Sequence, residues 1–258
     1  MNTLLRRMAP LVVLATTAAC EDPPAPCHVA SAPYFARFML VSDSGPCGIS
    51  TYDVVGLEVY PGSGPSGLDP SRPNIAVQSS RLGNLRAEAE FSNLDIGEQR
   101  AFAFGACPEL ADADGLCRVG DLAAAEIKMP PFEVFNEFGE IILIDGQHVR
   151  ETWSNVAMRV SHEVPGVRFG AELTVEEINQ GCTTTYTVSA LSPSVECGRL
   201  GLDDFGNDAF IADDGLCSAI PQPYLGMSQG SGIHPSIPTR CDPETLHCMP
   251  AGSPLDPL

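Results

Sequence analysis

Gly226-Met227-Ser228-Gln229-Gly230 matches the G-x-S-x-G pattern that presents a nucleophilic serine in many hydrolases, and Asp242 and His247 follow in the Ser…Asp…His order. Such a set would deprotonate Ser228 through the imidazole and attack an acyl carbon. The chemistry needs a strand before the serine and a helix after it. Here Pro221 and Pro223 precede the motif, while Gly232, Pro235 and Pro238 follow it, so neither element can form. The exported hydrolase built on Ser228, Asp242 and His247 is therefore the secondary expectation, and none of these residues is assigned a catalytic role. His148, His162, His234 and His247 show neither HExxH nor His-x-His spacing.

Asp112 and Asp114, in DADG, have the spacing of calcium ligands, with Asp121 further on; Asp203, Asp204 and Asp208 form a looser acidic group. Leu110 occupies the first EF-hand ligand position, and no flanking helices are evident, so the site is not an EF-hand. Acidic turn residues bonding their own backbone are the plainer reading. No cofactor is expected, with a calcium-dependent binding module as the remaining alternative.

Chemistry of another kind is written at the start of the chain. Arg6 and Arg7 precede an apolar run through Leu11, Val12, Val13 and Leu14, and Thr17-Ala18-Ala19 place small residues before Cys20. This reads as an export signal ending in a lipid-acceptor cysteine, too short to span a bilayer. Thr17 stands where a lipobox usually has leucine, and an ordinary secretory leader is the other reading. Both export the chain. Palmitate-type acyl chains on Cys20 would make a lipid bilayer the first partner and the bacterial cell envelope the location, with the outer membrane as the expected site. A further partner in the envelope or outside the cell is expected but not specified.

Ten cysteines in an exported chain predict disulfides. Local spacing predicts Cys241–Cys248, Cys197–Cys217 and Cys107–Cys117, each closing a turn-rich loop without apolar periodicity. Cys27, Cys47 and Cys182 resist local pairing, which leaves one long-range bond among them, most plausibly through Cys182. No CxxC pair is present, so structural zinc is not expected. The formal charge of −19 repels nucleic acid and anionic head groups.

These cysteines and acids must be positioned by strands. With 24 glycines and 23 prolines, few windows sustain a helical period; residues 80–90 (Leu82, Leu85, Ala89) and 121–127 are the two helical candidates. Residues 167–177 and 182–191 alternate apolar and polar side chains, joined by Asn179-Gln180-Gly181. Residues near 148–160 alternate as well, and Asp145-Gly146 suggests a hairpin with 139–145. A four-stranded antiparallel meander over 139–191 follows. Shorter strands are expected at 34–42, 53–60, 74–80 and 99–106. The single tryptophan, Trp153, is expected to anchor the core.

The expected object is mainly β, an antiparallel sandwich or curved sheet with few short helices and disulfide-stabilised loops. Its organisation is a signal peptide over 1–19, a tether over 20–33, a β-rich domain over 34–198, and a Gly/Pro/Asp-rich, disulfide-ordered tail over 199–258.

GLEVYPG (56–62), GCTTTYTVSALSPSVECG (181–198) and GSGIHPSIPTRCDPETLHC (230–248) carry a resemblance. With the leader, the chain resembles a set of uncharacterised, cysteine-rich lipoproteins of myxobacteria-like Gram-negative bacteria. The resemblance implies an envelope lipoprotein acting as a non-catalytic binding, adhesion or structural module. It transfers no catalytic residue.

Overall fold

A computed structural model describes residues 23–135, 137–202 and 205–257; Cys20, Asp203 and Asp204 lie outside them. The protein is mainly β, a curled antiparallel half-barrel with one α-helix. The elements run β1 (Tyr34–Ser44), β2 (Tyr52–Gly64), β3 (Gly67–Ser79), α1 (Ser80–Phe91), β4 (Ala103–Ala106), β5 (Leu116–Arg118), β6 (Ala125–Met129), β7 (Phe132–Phe135) and β8 (Ile141–Ile144). They continue with β9 (Gln147–Arg159), β10 (Arg168–Glu177), β11 (Cys182–Leu191), β12 (Gly198–Leu202), β13 (Asp208–Ala212), β14 (Thr239–Asp242) and β15 (His247–Pro250).

The large sheet has the order β4-β3-β2-β1-β11-β10-β9-β5, with β6 also on the outer side of β9. Its two ends approach each other: Phe104 in β4 and Ala123, just before β6, exchange two backbone hydrogen bonds of 3.2 and 2.8 Å. Alternation along each strand sends Val55, Leu57, Ile75, Val77, Leu173 and Tyr186 inward to the main core, around Trp153 at 1% exposure. Ser79 caps α1 by accepting from the Leu82 amide (3.2 Å), and Leu82, Leu85 and Ala89 form the buried helix face. The helix packs on β6, β2 and β3.

Several expectations need correction. Residues 121–127 form no helix; β6 occupies 125–129, because pairing with β9 (Ile127↔Val149) outweighs the local helical tendency of Ala123-Ala124-Ala125. Asp145-Gly146 is not a hairpin turn. β8 pairs with β7, and only β9, β10 and β11 form the meander. The Gly/Pro stretch 61–73 is not a loop, since β2 and β3 extend through it to Gly64↔Gly67. Within the expected tether, Ala25 and Cys27 are already buried.

The local disulfides differ most, whereas the expected long-range bond through Cys182 is present, to Cys47. Bonds join Cys27–Cys117, Cys47–Cys182, Cys197–Cys241 and Cys217–Cys248, and Cys107 is a buried free thiol. The Cys107–Cys117 pairing fails because the N-terminal segment runs alongside residues 109–111, with the Cys27 amide donating to Glu109 O (2.8 Å). That contact delivers Cys27 to Cys117. The Cys241–Cys248 and Cys197–Cys217 pairings fail for a different reason. Cys241 and Cys248 do face each other across the β14–β15 hairpin, but backbone bonds already close it. Its two cysteines bond outward instead, to Cys197 and Cys217. The sulfurs of Cys197, Cys217 and Cys248 lie within 4.8 Å of one another. Around them a second, small core gathers Val164, Leu191, Ile233 and Ile237. This C-terminal knob sits on the outer face of the sheet. Arg37 on β1 reaches Asp242 (3.0 Å) and Glu244 (2.8 Å), and His247 stacks on Phe35 with ring centroids 3.9 Å apart.

Candidate functional site

The hydrolase residues do not converge. Ser228 is exposed. Asp242 and His247 are cross-strand neighbours, yet Asp242 is taken by Arg37 and by the Thr245 hydroxyl (2.8 Å), while His247 Nδ1 lies 2.8 Å from Thr245 O. His234 Nδ1 meets Ser236 Oγ at 2.8 Å. Among the described residues no hydrogen bond joins Ser228 to either partner.

Asp112 is likewise engaged. Its carboxylate accepts from the Asp114 and Leu116 amides and from Arg118 Nε, each at 2.9 Å. The Leu116 amide is the largest of the influences holding its carboxyl below the usual range. Asp114 faces the same arginine at 3.8 Å. This is the turn-capping arrangement, with Arg118 as the countercharge. Asp208 is exposed at the start of β13.

A depression of about 710 Å³ lies on the outer face of β2, β3 and β4. Register builds it. Gly56 sits opposite Gln78, Glu58 opposite Ala76, and Tyr60 opposite Asn74. On the other side of β3, Ala76 faces Phe104 and Asn74 faces Ala106. Directly opposed residues share a face in an antiparallel pair, so Ala76 is a small floor with Glu58 and Phe104 to its sides. Asn74 and Gln78 lie two residues away along the same strand. Gly56 extends the floor, where an added Cβ would meet nothing nearer than Gln78 O at 3.9 Å. Tyr60 is 48% exposed, and Phe102 stands edge-on to Phe104, 6.1 Å between centroids. Residues 31–33 close one wall.

The polar groups of this depression are uncommitted. Among the described residues, no hydrogen bond or ion pair engages the side chains of Glu58, Asn74 or Gln78. The opposite face of the sheet differs. There Glu151, on β9, is buried at 2% exposure, accepts from Ser79 Oγ (2.8 Å) and from Trp153 Nε1 (3.3 Å), and is pushed up to about 7, mainly by burial. Arg81 and Glu177 pair at 2.7 Å above it. Burial also raises the Cys107 thiol to about 11, which keeps it protonated and unreactive at neutral pH.

A protein-family model described as MlpA matches residues 32–193, more than half of the chain. The chain belongs to the MlpA family. The matched span begins just before β1 and ends just after β11, so the family's shared part is the large sheet with α1, including every strand of the depression. The C-terminal knob lies beyond it. No curated protein and no solved structure matches the chain. Gly56, Glu58 and Tyr60 of the GLEVYPG segment form one column of the depression. The strand alternation was a signal for an outward face, but nothing local pointed to Asn74, Gln78 or Phe104 as its neighbours.

Proposed function

We propose that this MlpA-family protein is a lipoprotein of the bacterial envelope, held at the outer membrane by acyl chains on Cys20, and that it works as a non-catalytic binding module. The observation carrying the binding role is the depression around Ala76. It combines a flat small-residue floor, aromatic walls, and three polar side chains with no internal partner. Aromatic faces accept the C–H face of a flat ring, while one carboxylate and two carboxamides suit adjacent hydroxyl or acetamido groups. The ligand class is therefore a saccharide. Glu58 is the single carboxylate among the lining residues, whereas hydrolysis of a glycosidic bond ordinarily uses a pair, which favours binding over turnover. The leader supports the anchor.

Two measurements test this. Cys20→Ser should release the protein from the membrane fraction and remove the acyl mass from the mature chain; retention with an unmodified mass overturns the anchor. Saturation-transfer NMR with chitotriose and maltotriose should show contact with at least one of them, and Ala76→Trp, which fills the floor, should abolish it. Absence of transfer from both sugars, or transfer indifferent to Ala76→Trp, overturns the saccharide reading.

A further inference from the structure

The β7–β8 hairpin is a part of the molecule that burial does not explain. It prolongs the β6–β9 pair, which stops at Met129↔Gln147 and resumes at Phe132↔Ile144. Between them the ribbon bends at Pro130-Pro131 and Gly146, where a Cβ on the glycine would lie 2.8 Å from Met129 O. One face of the hairpin returns toward the core through Phe132, Val134 and Ile144. The other face carries Phe135, Ile141 and Leu143, exposed by 75%, 60% and 63%. Among the described residues β7 and β8 pair only with each other, so both outer edges are open. Exposed apolar hairpins of this kind are costly, since they template aggregation.

Charge and position narrow the occupant. Between Met129 and Gln147 stand four carboxylates, Glu133, Glu137, Glu140 and Asp145, and no lysine or arginine. A second copy would set these acids against one another. The hairpin also lies at the far end of the barrel from the N-terminal segment. It joins β9 at Gln147, whereas His162, beyond the other end of β9, holds Pro23 O at 2.6 Å. Thirteen strand residues separate those ends, on the order of 35 Å. The bilayer that would hold Cys20 is thus at the opposite pole, and insertion of the tip would drag Glu137 and Glu140 into lipid.

We propose that the β7–β8 hairpin is a docking arm for a partner protein whose receiving groove is apolar along its floor and bordered by lysine or arginine. Phe135, Ile141 and Leu143 fill the groove, and the four carboxylates meet its rim. This lies beyond the saccharide depression, on other strands and at another site.

The test uses the purified mature protein and a fluorescent peptide of alternating leucine and lysine, which as a strand offers one apolar face and one cationic face. Fluorescence anisotropy should show saturable binding, weakened about tenfold when salt rises to about 0.5 M. The double variant Phe135→Ser/Leu143→Ser changes no charge and touches only exposed residues. It should weaken binding about tenfold while leaving the melting curve and the saccharide NMR response as they are. Peptide binding that ignores this variant is attraction to the acidic surface at large and overturns the proposal, as does equal binding of a leucine–glutamate peptide. Arm-dependent dimers in sedimentation, or arm-dependent flotation with phosphatidylcholine vesicles, would each assign a different occupant and overturn it as well.

Discussion

The large sheet and the C-terminal knob are built on opposite principles. The sheet buries Trp153, Tyr34, Phe169 and Tyr186 in one continuous core, and two long-range disulfides, Cys27–Cys117 and Cys47–Cys182, pin its N-terminal strap and the loop after β1 to its rim. The knob has only a handful of aliphatic residues, and four of the eight residues in its core are half-cystines, joined in two disulfides. Where apolar area is scarce, crosslinks that restrict the unfolded chain take its place. The MlpA match follows the same division, covering the sheet and stopping before the knob.

The comparison breaks most visibly at Trp153. Trp153→Ala leaves a large cavity in the main core behind β9 and β10 and strands the Glu151 carboxyl without its indole donor. A loss of about 3–5 kcal/mol is expected, seen in urea titration as a lower midpoint for the whole molecule. The knob rests on β1 through Arg37 and Phe35, so it should lose its footing in the same transition. If the knob's signal survives a melted sheet, the knob does not depend on the sheet.

A smaller and more selective effect is expected from Cys217→Ser/Cys248→Ser. The bond closes 31 residues of sequence, and its removal should cost the knob about 2–4 kcal/mol. Hydrogen exchange should then quicken across β12 to β15 while β9, β10 and β11 keep their protection. Uniform loss of protection would mean that the sheet leans on the knob as much as the knob leans on the sheet.

What the sequence disclosed divides along the same line. The alternation of 167–177 and 182–191 was legible because side-chain period and burial agree within each strand, and Leu82, Leu85 and Ala89 marked α1 despite Gly83. Expectations failed wherever the decisive partner was distant. Residues 121–127 carry a local helical pattern, and pairing with β9, 18 to 26 residues further on, makes 125–129 a strand. The knob's bonds were misassigned because spacing favours short loops, whereas β14 and β15 are held by two separate segments. The depression was hidden for the same reason, since Glu58, Asn74 and Phe104 become neighbours only through the register of three strands. Uncommitted polar groups on an outward face leave no mark in the chain.

The smallest effect concerns an acid that the sheet keeps inside, Glu151. Desolvation dominates Glu151 and lifts it from 4.5 to about 7, aided by the nearby Asp53, while bonds from Ser79 and Trp153 and the charge of Arg81 pull the other way. A pKa raised in the folded state means that folding takes up a proton. The resulting stabilisation is complete below about pH 4.5, declines as pH rises, and is lost once pH passes about 7. Between pH 5 and pH 8 the sheet should therefore weaken by on the order of 2 kcal/mol. The isosteric Glu151→Gln keeps a donor and an acceptor for Ser79 and Trp153 but cannot ionise, so that slope should flatten and the variant should exceed the parent at pH 8. The knob's buried acid, Asp242, is ion-paired with Arg37 at 3.0 Å, and the knob's protection factors, measured relative to the sheet's, should not share the change. An unaltered slope in Glu151→Gln would move the pH sensitivity to the paired surface acids and leave the interior electrically silent.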